Sequence, residues 1–324
     1  MLKYAIRRII LMIPVLICVT LLLFFIQALA PGDPAVMVLG QEATEEAKEE
    51  WREENGLNQP LIAQYGQYIW NIVTQGDFGT SYSTGRSITE TVMGRWPYTI
   101  VLAVGSILLA TILGLFLGIL SAVRRGKLLD SILRVIGIVL FSIPNFWLAI
   151  MLIIFFAMQL HWLPVSGLAT AKGWVLPIMT MAMINAAGIM RFTRSAMLEN
   201  LQQDFVRSVR AKGQSEANVV MRHVLGNSMI PIITYVGQTL ISAMAGTIVL
   251  EQIFSLPGLG SLLIQAINYR DYPLLRGCVI LIAITTAVLN LVIDLIYAFV
   301  DPRVKARFKN DASKSIFRRK KSIA

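Results

Sequence analysis

Cysteine, histidine and charge are all scarce in this chain. The two cysteines, Cys18 and Cys278, both fall within long apolar runs, so neither a disulfide framework nor a thiolate metal cluster can be argued. His161 and His223 are the only histidines. The topology argued below places them on opposite sides of a membrane, which leaves no histidine-based catalytic or metal site. Charged residues make up 15% of 324 residues against 56% hydrophobic, and mean hydropathy is +0.65, outside the range of a soluble globular domain. No G-x-x-x-x-G-K-[ST] phosphate loop, no H-E-x-x-H and no G-x-S-x-G elbow occurs. The residues thus point to no enzyme, to no metal or cofactor bound by this chain, and to no nucleic-acid partner.

What the chain has is long apolar runs, at Ile9 to Ala30, Tyr98 to Val123, Val135 to Leu160, Val175 to Met190, Met229 to Leu250 and Leu274 to Val300. Most exceed the roughly 20 residues a helix needs to cross the hydrocarbon layer. The fourth is short, and is expected to be completed by Trp174 and part of Arg191 to Arg194, the arginines snorkelling to the interface. The first run resembles a secretory signal in its basic start and its "ALA" end. It is too long for a signal core and is followed by Pro31, so an uncleaved first span is expected.

Lys and Arg are distributed unevenly: 22 of the 29 fall in the N-terminus, 124–134, 191–222 and the segment after Val300. Because cytoplasmic segments carry the basic excess, both termini are expected inside, with an even number of spans and the bilayer as surroundings. The segment 31–97 holds ten Asp or Glu against four Lys or Arg and reads as external. That parity makes "IFSLPGLGSLLIQAI", Ile253 to Ile267, a broken, re-entrant or interfacial external element, with Phe254, Pro257, Gly258 and Gly260 as a candidate external gate. The fold class predicted is all-α: a polytopic membrane protein of six transmembrane helices, with a small external helical cap after the first. The expected organisation is 1–30, the N-terminus and first span; 31–97, the external segment; 98–300, a five-helix core with a cytoplasmic loop at 191–228 and an external element at 251–272; and 301–324, a basic cytoplasmic tail.

Within the external segment, Glu45 to Glu54 is a helix candidate capped by Thr44 and stopped at Gly56. A second follows Asn58 and Pro60, with Leu61, Ile62, Tyr65, Ile69, Ile72 and Val73 on one stripe. This cap either contacts a partner or shields the mouth of the membrane domain. In the second span Ser106, Ala110, Gly114, Gly118 and Ala122 recur every four residues, a face for close helix packing. Ser142, Pro144 and Asn145 mark either a polar, cavity-facing stretch or a packing kink. With Asn185, Gln238 and Ser242, Ser142 and Asn145 form the candidate translocation path. Asp294 and Arg276 are the ionisable groups inside spans; a structural partner for Asp294 is expected ahead of a proton-relay role.

The most informative stretch is "DFVRSVRAKGQSEANVVMRH", Asp204 to His223, basic and amphipathic in a chain otherwise apolar. Gly213 is a helix stop and Ser215 a new cap, so two short amphipathic helices are predicted. Helices that short are marginal in water and their apolar faces need cover, from the lipid interface or from a groove on a cytosolic partner.

Arg210, Ala211, Lys212 and Gly213, together with "APGDP", "GDFGTS", "SIPNFW", "LPVSG", "FSLPGLG", "RDYP" and "DPRVK" in order along the chain, resemble the binding-protein-dependent ABC import permeases of the dipeptide, oligopeptide and nickel branch. Where the wider superfamily has Glu-Ala-Ala, this chain has Arg207, Ser208 and Val209. The resemblance implies a six-span subunit of the cytoplasmic membrane that pairs with a homologous second permease, two ATPase subunits and an extracytoplasmic solute-binding protein. ATP and Mg would be held by the partner ATPases. Asp204, Arg207, Arg210, Ala211, Lys212 and Gly213 would couple this chain to them, and small peptides would be the cargo. Import of nickel or a metal chelate, or a self-sufficient secondary transporter, are the alternatives.

Overall fold

The computed structural model describes residues 2–29 and 33–300, and every regular element in it is helical. The predicted basic tail, 301–324, lies outside the described residues. The helices are α1 (Leu2–Ala28), α2 (Pro34–Leu39), α3 (Glu45–Glu54), α4 (Leu61–Gln75), α5 (Ile88–Val123), α6 (Leu128–Ser142), α7 (Asn145–Leu152), α8 (Val175–Leu201), α9 (Asp204–Ala211), α10 (Glu216–Asn218), α11 (Leu225–Ile253), α12 (Leu259–Asn268) and α13 (Tyr272–Val300). A π-helical turn at Ile153–Gln159 extends α7, another at Val219–Val224 joins α10 to α11, and a 3-10 turn at Ala171–Trp174 leads into α8. Five helices are long and apolar enough to cross a membrane, and six spans result when α6 and α7 are taken as one broken span.

That pair departs from the expectation of a single third span. α6 and α7 meet at 103°, far beyond a packing kink. Pro144 has no N–H to donate, and its ring disfavours helical geometry at the residue before it; Ile143 is accordingly extended, at φ −78°, ψ 129°. The fourth run is completed at its C-terminal end as expected, α8 running through Arg191 and Arg194 as one 27-residue helix, while Trp174 closes the 3-10 turn before it.

α5 against α8 is the most extensive helix pair, and the small-residue face explains it. A Cβ added to Gly114 would lie 2.7 Å from the Ile189 side chain, and one on Gly118 would lie 2.7 Å from Thr193 and 2.8 Å from the Met190 carbonyl oxygen. Ser106, Ala110 and Ala122 are buried on the same face. Only residues this small let the backbones come so near, where dispersion and not hydrophobicity drives association. α1 packs at the periphery on α13, where Arg8 and Asp294 form an ion pair of 3.1 Å, the structural partner expected for Asp294.

The predicted cap forms as read at its start: the Thr44 side chain accepts from the Ala47 N–H, and Gly56 takes φ +67°. The stripe on α4 is only half buried. Tyr65, Ile69 and Ile72 turn inward, while Ile62 and Val73 are exposed, because Tyr68 shares the inward face and rotates the stripe. The phrases "GDFGTS" and "RDYP" are joined physically. The buried Asp271 carboxylate accepts from the Ser81 and Ser83 hydroxyls and from the N–H groups of Tyr82, Ser83 and Leu274, pinning the turn before α5 to the start of α13.

Candidate functional site

α9 begins with Asp204 in its first turn, where a negative charge favours the helix N-terminus, and ends at Ala211 with Lys212 as its C-cap. Gly213 takes φ +77° and donates its N–H to the Arg210 carbonyl oxygen at 2.9 Å; nothing lies within 4 Å of where its Cβ would be. Its requirement for glycine is therefore one of backbone conformation alone. Ser215 accepts from the Asn218 N–H and starts the next helix. Arg210 closes the turn by a two-pronged bond to Glu216, which raises the Arg210 pKa above its ordinary value.

The predicted second helix is not a separate one. α10 is a single turn that passes through Val219–Val224 into α11, giving a continuous apolar helix over Glu216–Ile253. The choice between lipid and partner groove for the apolar faces resolves differently from either. Val206, Val219, Val220 and Val224 are buried against Ala122 of α5 and Met197 of α8, with Phe205 and Val209 packed on them. The chain covers most of its own apolar face, leaving Ala217 and Met221 exposed. On α9 and its turn the exposed residues are Asp204, Arg207, Ser208, Arg210, Ala211, Lys212 and Gly213, mostly charged or polar. This segment is thus a charged surface mounted, through a small valine core, on the ends of two membrane helices.

Two more ties stiffen that end of the molecule. Arg194 does not snorkel; it donates to both carboxylate oxygens of Asp130, at 2.8 and 2.9 Å, and Asp130, itself buried, also accepts from the Ser121 hydroxyl and the Gly126 N–H. Asn200 donates to the Ser228 hydroxyl at 3.0 Å, linking α8 to α11. Nothing in the local pattern around Asp130 announced a partner so far along the chain.

The proposed path residues divide. Gln238 and Ser242 are exposed on α11, and Thr234 and Ala245 stand exposed on the same face. Such a polar strip on a long apolar helix suits water or a protein neighbour better than lipid. Ser142, also exposed, donates to the Ile138 carbonyl oxygen. Asn145 is half-buried beside Gly246, and Asn185 is half-buried and bonded to the Met181 carbonyl oxygen within its own helix. Asn145 and Asn185 are thus partly covered by the packing, Asn145 against α11 itself.

The stretch expected to be external forms α12, too short to span, with Phe254, Leu256 and Leu259 buried around the break at Pro257. Glu251, overlooked at the end of the fifth apolar run, organises it. Its buried carboxylate accepts from the Thr99 hydroxyl at 2.7 Å and from the Ser261 N–H at 2.9 Å, while Thr99 accepts from the Leu259 N–H at 2.8 Å. Gly258 and Gly260 are required by approach: a Cβ would lie 2.3 Å from the Glu251 carboxyl carbon and 2.6 Å from the Ile248 Cα respectively. A lone acid closing an apolar run just before "FSLPGLG" was the available signal.

A helical bundle with a mounted polar loop at one end and a glycine-packed broken element at the other is the fold of an ABC-transporter membrane subunit. Solved structures of this kind include the methionine ABC transporter in inward-facing conformations (TM-score 0.55, 20% identity, 65% of this chain and 96% of that one) and an amino acid ABC transporter (TM-score 0.54, 15% identity, 64% and 94%). Residues 114–306 match the model of the binding-protein-dependent transport system inner membrane component, and residues 1–103 that of the corresponding N-terminal region. The chain belongs to this family and is a multi-pass inner-membrane permease subunit, not an enzyme. Similar curated proteins are the dipeptide transport system permease protein of Alkalihalophilus pseudofirmus (39% identity over 94% of this chain and all of that one), the oligopeptide transport system permease protein of Bacillus subtilis (37%, 94% and 100%) and the glutathione transport system permease protein of Escherichia coli (38%, 94% and 99%).

Proposed function

We propose that this chain moves small peptides inward as one of two homologous permease subunits, driven by ATP and Mg bound on two partner ATPases and loaded by an extracytoplasmic solute-binding protein. Both termini, with the Asp204 to His223 segment, face the cytoplasm in this reading. The observation that carries it is the mounting of the exposed Asp204–Gly213 surface on α5 and α8 through Val206, Val219, Val220 and Val224. A push on that surface is delivered to the helices and not absorbed by the loop, because a close-packed core transmits displacement. ATP acts on this chain only through contacts that differ between two states. The exposed Gln238 and Ser242 strip on α11 supports a path shared with the second permease, and the names of similar proteins support a peptide cargo.

The test is uptake of labelled dialanine into vesicles holding this chain with its partner subunits and binding protein. Uptake is expected only with ATP inside the compartment that the ATPases face. Uptake by this chain alone under a proton gradient would overturn the reading in favour of a self-sufficient transporter.

A further inference from the structure

A cavity of about 300 Å³ lies where the C-terminal end of α1, the cap helices and the first turns of α13 meet. Arg276 lines it. The guanidinium sits 4.9 Å from the centre of the Phe24 ring and 4.8 Å from that of Tyr68, and its Nε is buried with no hydrogen-bond partner. The carboxylates of the adjoining segments are engaged elsewhere. Asp33, which lines the same cavity, is paired with Arg52, and Asp271 is filled by the turn before α5. The amides of Gln27 and Gln64 are bonded to backbone carbonyls.

A cation half-buried between two rings, with its Nε shielded and unpartnered and no anion beside it, is costly, and cation–π contact offsets only part of that cost. The group that completes it is a planar oxyanion, which the arginine fork binds in two-pronged fashion. Tyr82 and Tyr272, both carrying hydroxyls, line the cavity, and Pro34, Leu57 and Leu61 supply an apolar wall. We propose that this cavity is a binding site for a small carboxylate-bearing solute, its carboxylate paired with Arg276. The volume is at the low end of small-molecule pockets and suits an amino acid or short peptide. Asp33, although paired with Arg52, keeps one acceptor position on Oδ2 for the ammonium of such a zwitterion. An acidic protein surface is disfavoured, since the exposed carboxylates of α3, Glu45, Glu46, Glu49, Glu50, Glu53 and Glu54, would repel it. The inference stands on the chemistry of the cavity and not on transport through the chain.

The experiment is equilibrium binding of L-alanyl-L-alanine and of its C-terminal amide to the full chain in phosphatidylcholine nanodiscs. The acid is expected to bind about tenfold or more tightly than the amide, as follows from losing a charge-assisted bond. Arg276→Gln is expected to erase the difference, and Arg276→Lys to keep part of it. Equal binding of acid and amide, no binding of either, or an unchanged contrast in R276Q would each overturn the proposal. Loss of dialanine binding when phosphatidylglycerol is added to the discs would also overturn it, assigning the cavity to a lipid headgroup. The acid-against-amide contrast is read on the unaltered chain, so it decides the matter even where R276Q fails to fold.

Discussion

Replacing Gly213 in a graded series separates backbone conformation from every other role of that residue. At φ +77° any Cβ is strained, yet nothing stands within 4 Å of the Cβ position, so side-chain clash plays no part. Asn tolerates the left-handed region and costs a few tenths of a kcal/mol; Ala costs about 1 kcal/mol; a β-branched Val costs about 2 kcal/mol or more. A 2 kcal/mol penalty shifts the balance between the native turn and an alternative by roughly thirtyfold. The valine core that mounts α9 is untouched, so membrane insertion stays near wild type and stability falls by no more than the turn penalty. ATP-driven uptake in vesicles holding the full assembly is the assay, with bound ATPase subunits quantified in parallel. G213N is expected to keep most uptake, G213A to lose part, and G213V to lose nearly all of it. Wild-type uptake in G213V, or a G213N as inactive as G213V, would refute the reasoning.

Three further outcomes are expected. Asp130→Asn leaves Arg194 without its counter-charge in a buried setting and should destabilise the chain by about 3 kcal/mol, read as a lowered midpoint of chemical denaturation in detergent. Gly114→Leu drives a side chain into Ile189 and should cost about 1 to 3 kcal/mol through overpacking of α5 on α8, seen as a lower Tm, whereas Gly66→Leu, with open space around it, should not. In the cap, the Arg52 hydrogen bond holds the Asp33 carboxyl below its usual value near 3.8, so its contribution is fully present above that value and is lost as pH falls through the lower, folded-state one. Protease cleavage in 40–60 should therefore be flat between about pH 5 and 8 and rise only below about pH 4.

The apolar runs of α1, α5, α8, α11 and α13 were legible because hydrocarbon demands length and hydropathy together, and both are local properties of sequence. The Gly213 stop and the Thr44 cap were legible for the same reason: each satisfies backbone groups within one turn. The small-residue face of α5 showed in its four-residue spacing, although its partner helix did not. Two kinds of feature stayed hidden. The α6–α7 bend follows from Pro144, but a proline in a membrane helix also permits a mild kink, and only packing against α8 and α11 selects between them. The pairs Arg194 with Asp130 and Glu251 with Thr99 join residues 64 and 152 positions apart, and no periodicity reports them. For the Asp204 to His223 segment, pattern correctly found an apolar face in need of cover but could not show that α5 and α8 supply most of it.

The most direct test is site-directed cross-linking in the assembled complex. With Cys18 and Cys278 replaced by Ser, a single cysteine at Lys212 should form a disulfide with a cysteine placed on the ATPase surface, and the yield should change between nucleotide-free and ATP-bound states. Cysteines on the buried side of α9, at Val206, should not react. If the Lys212 cysteine is labelled only by a lipid-soluble reagent and never joins an ATPase subunit, the polar surface mounted on α5 and α8 is not where ATP hydrolysis meets this chain.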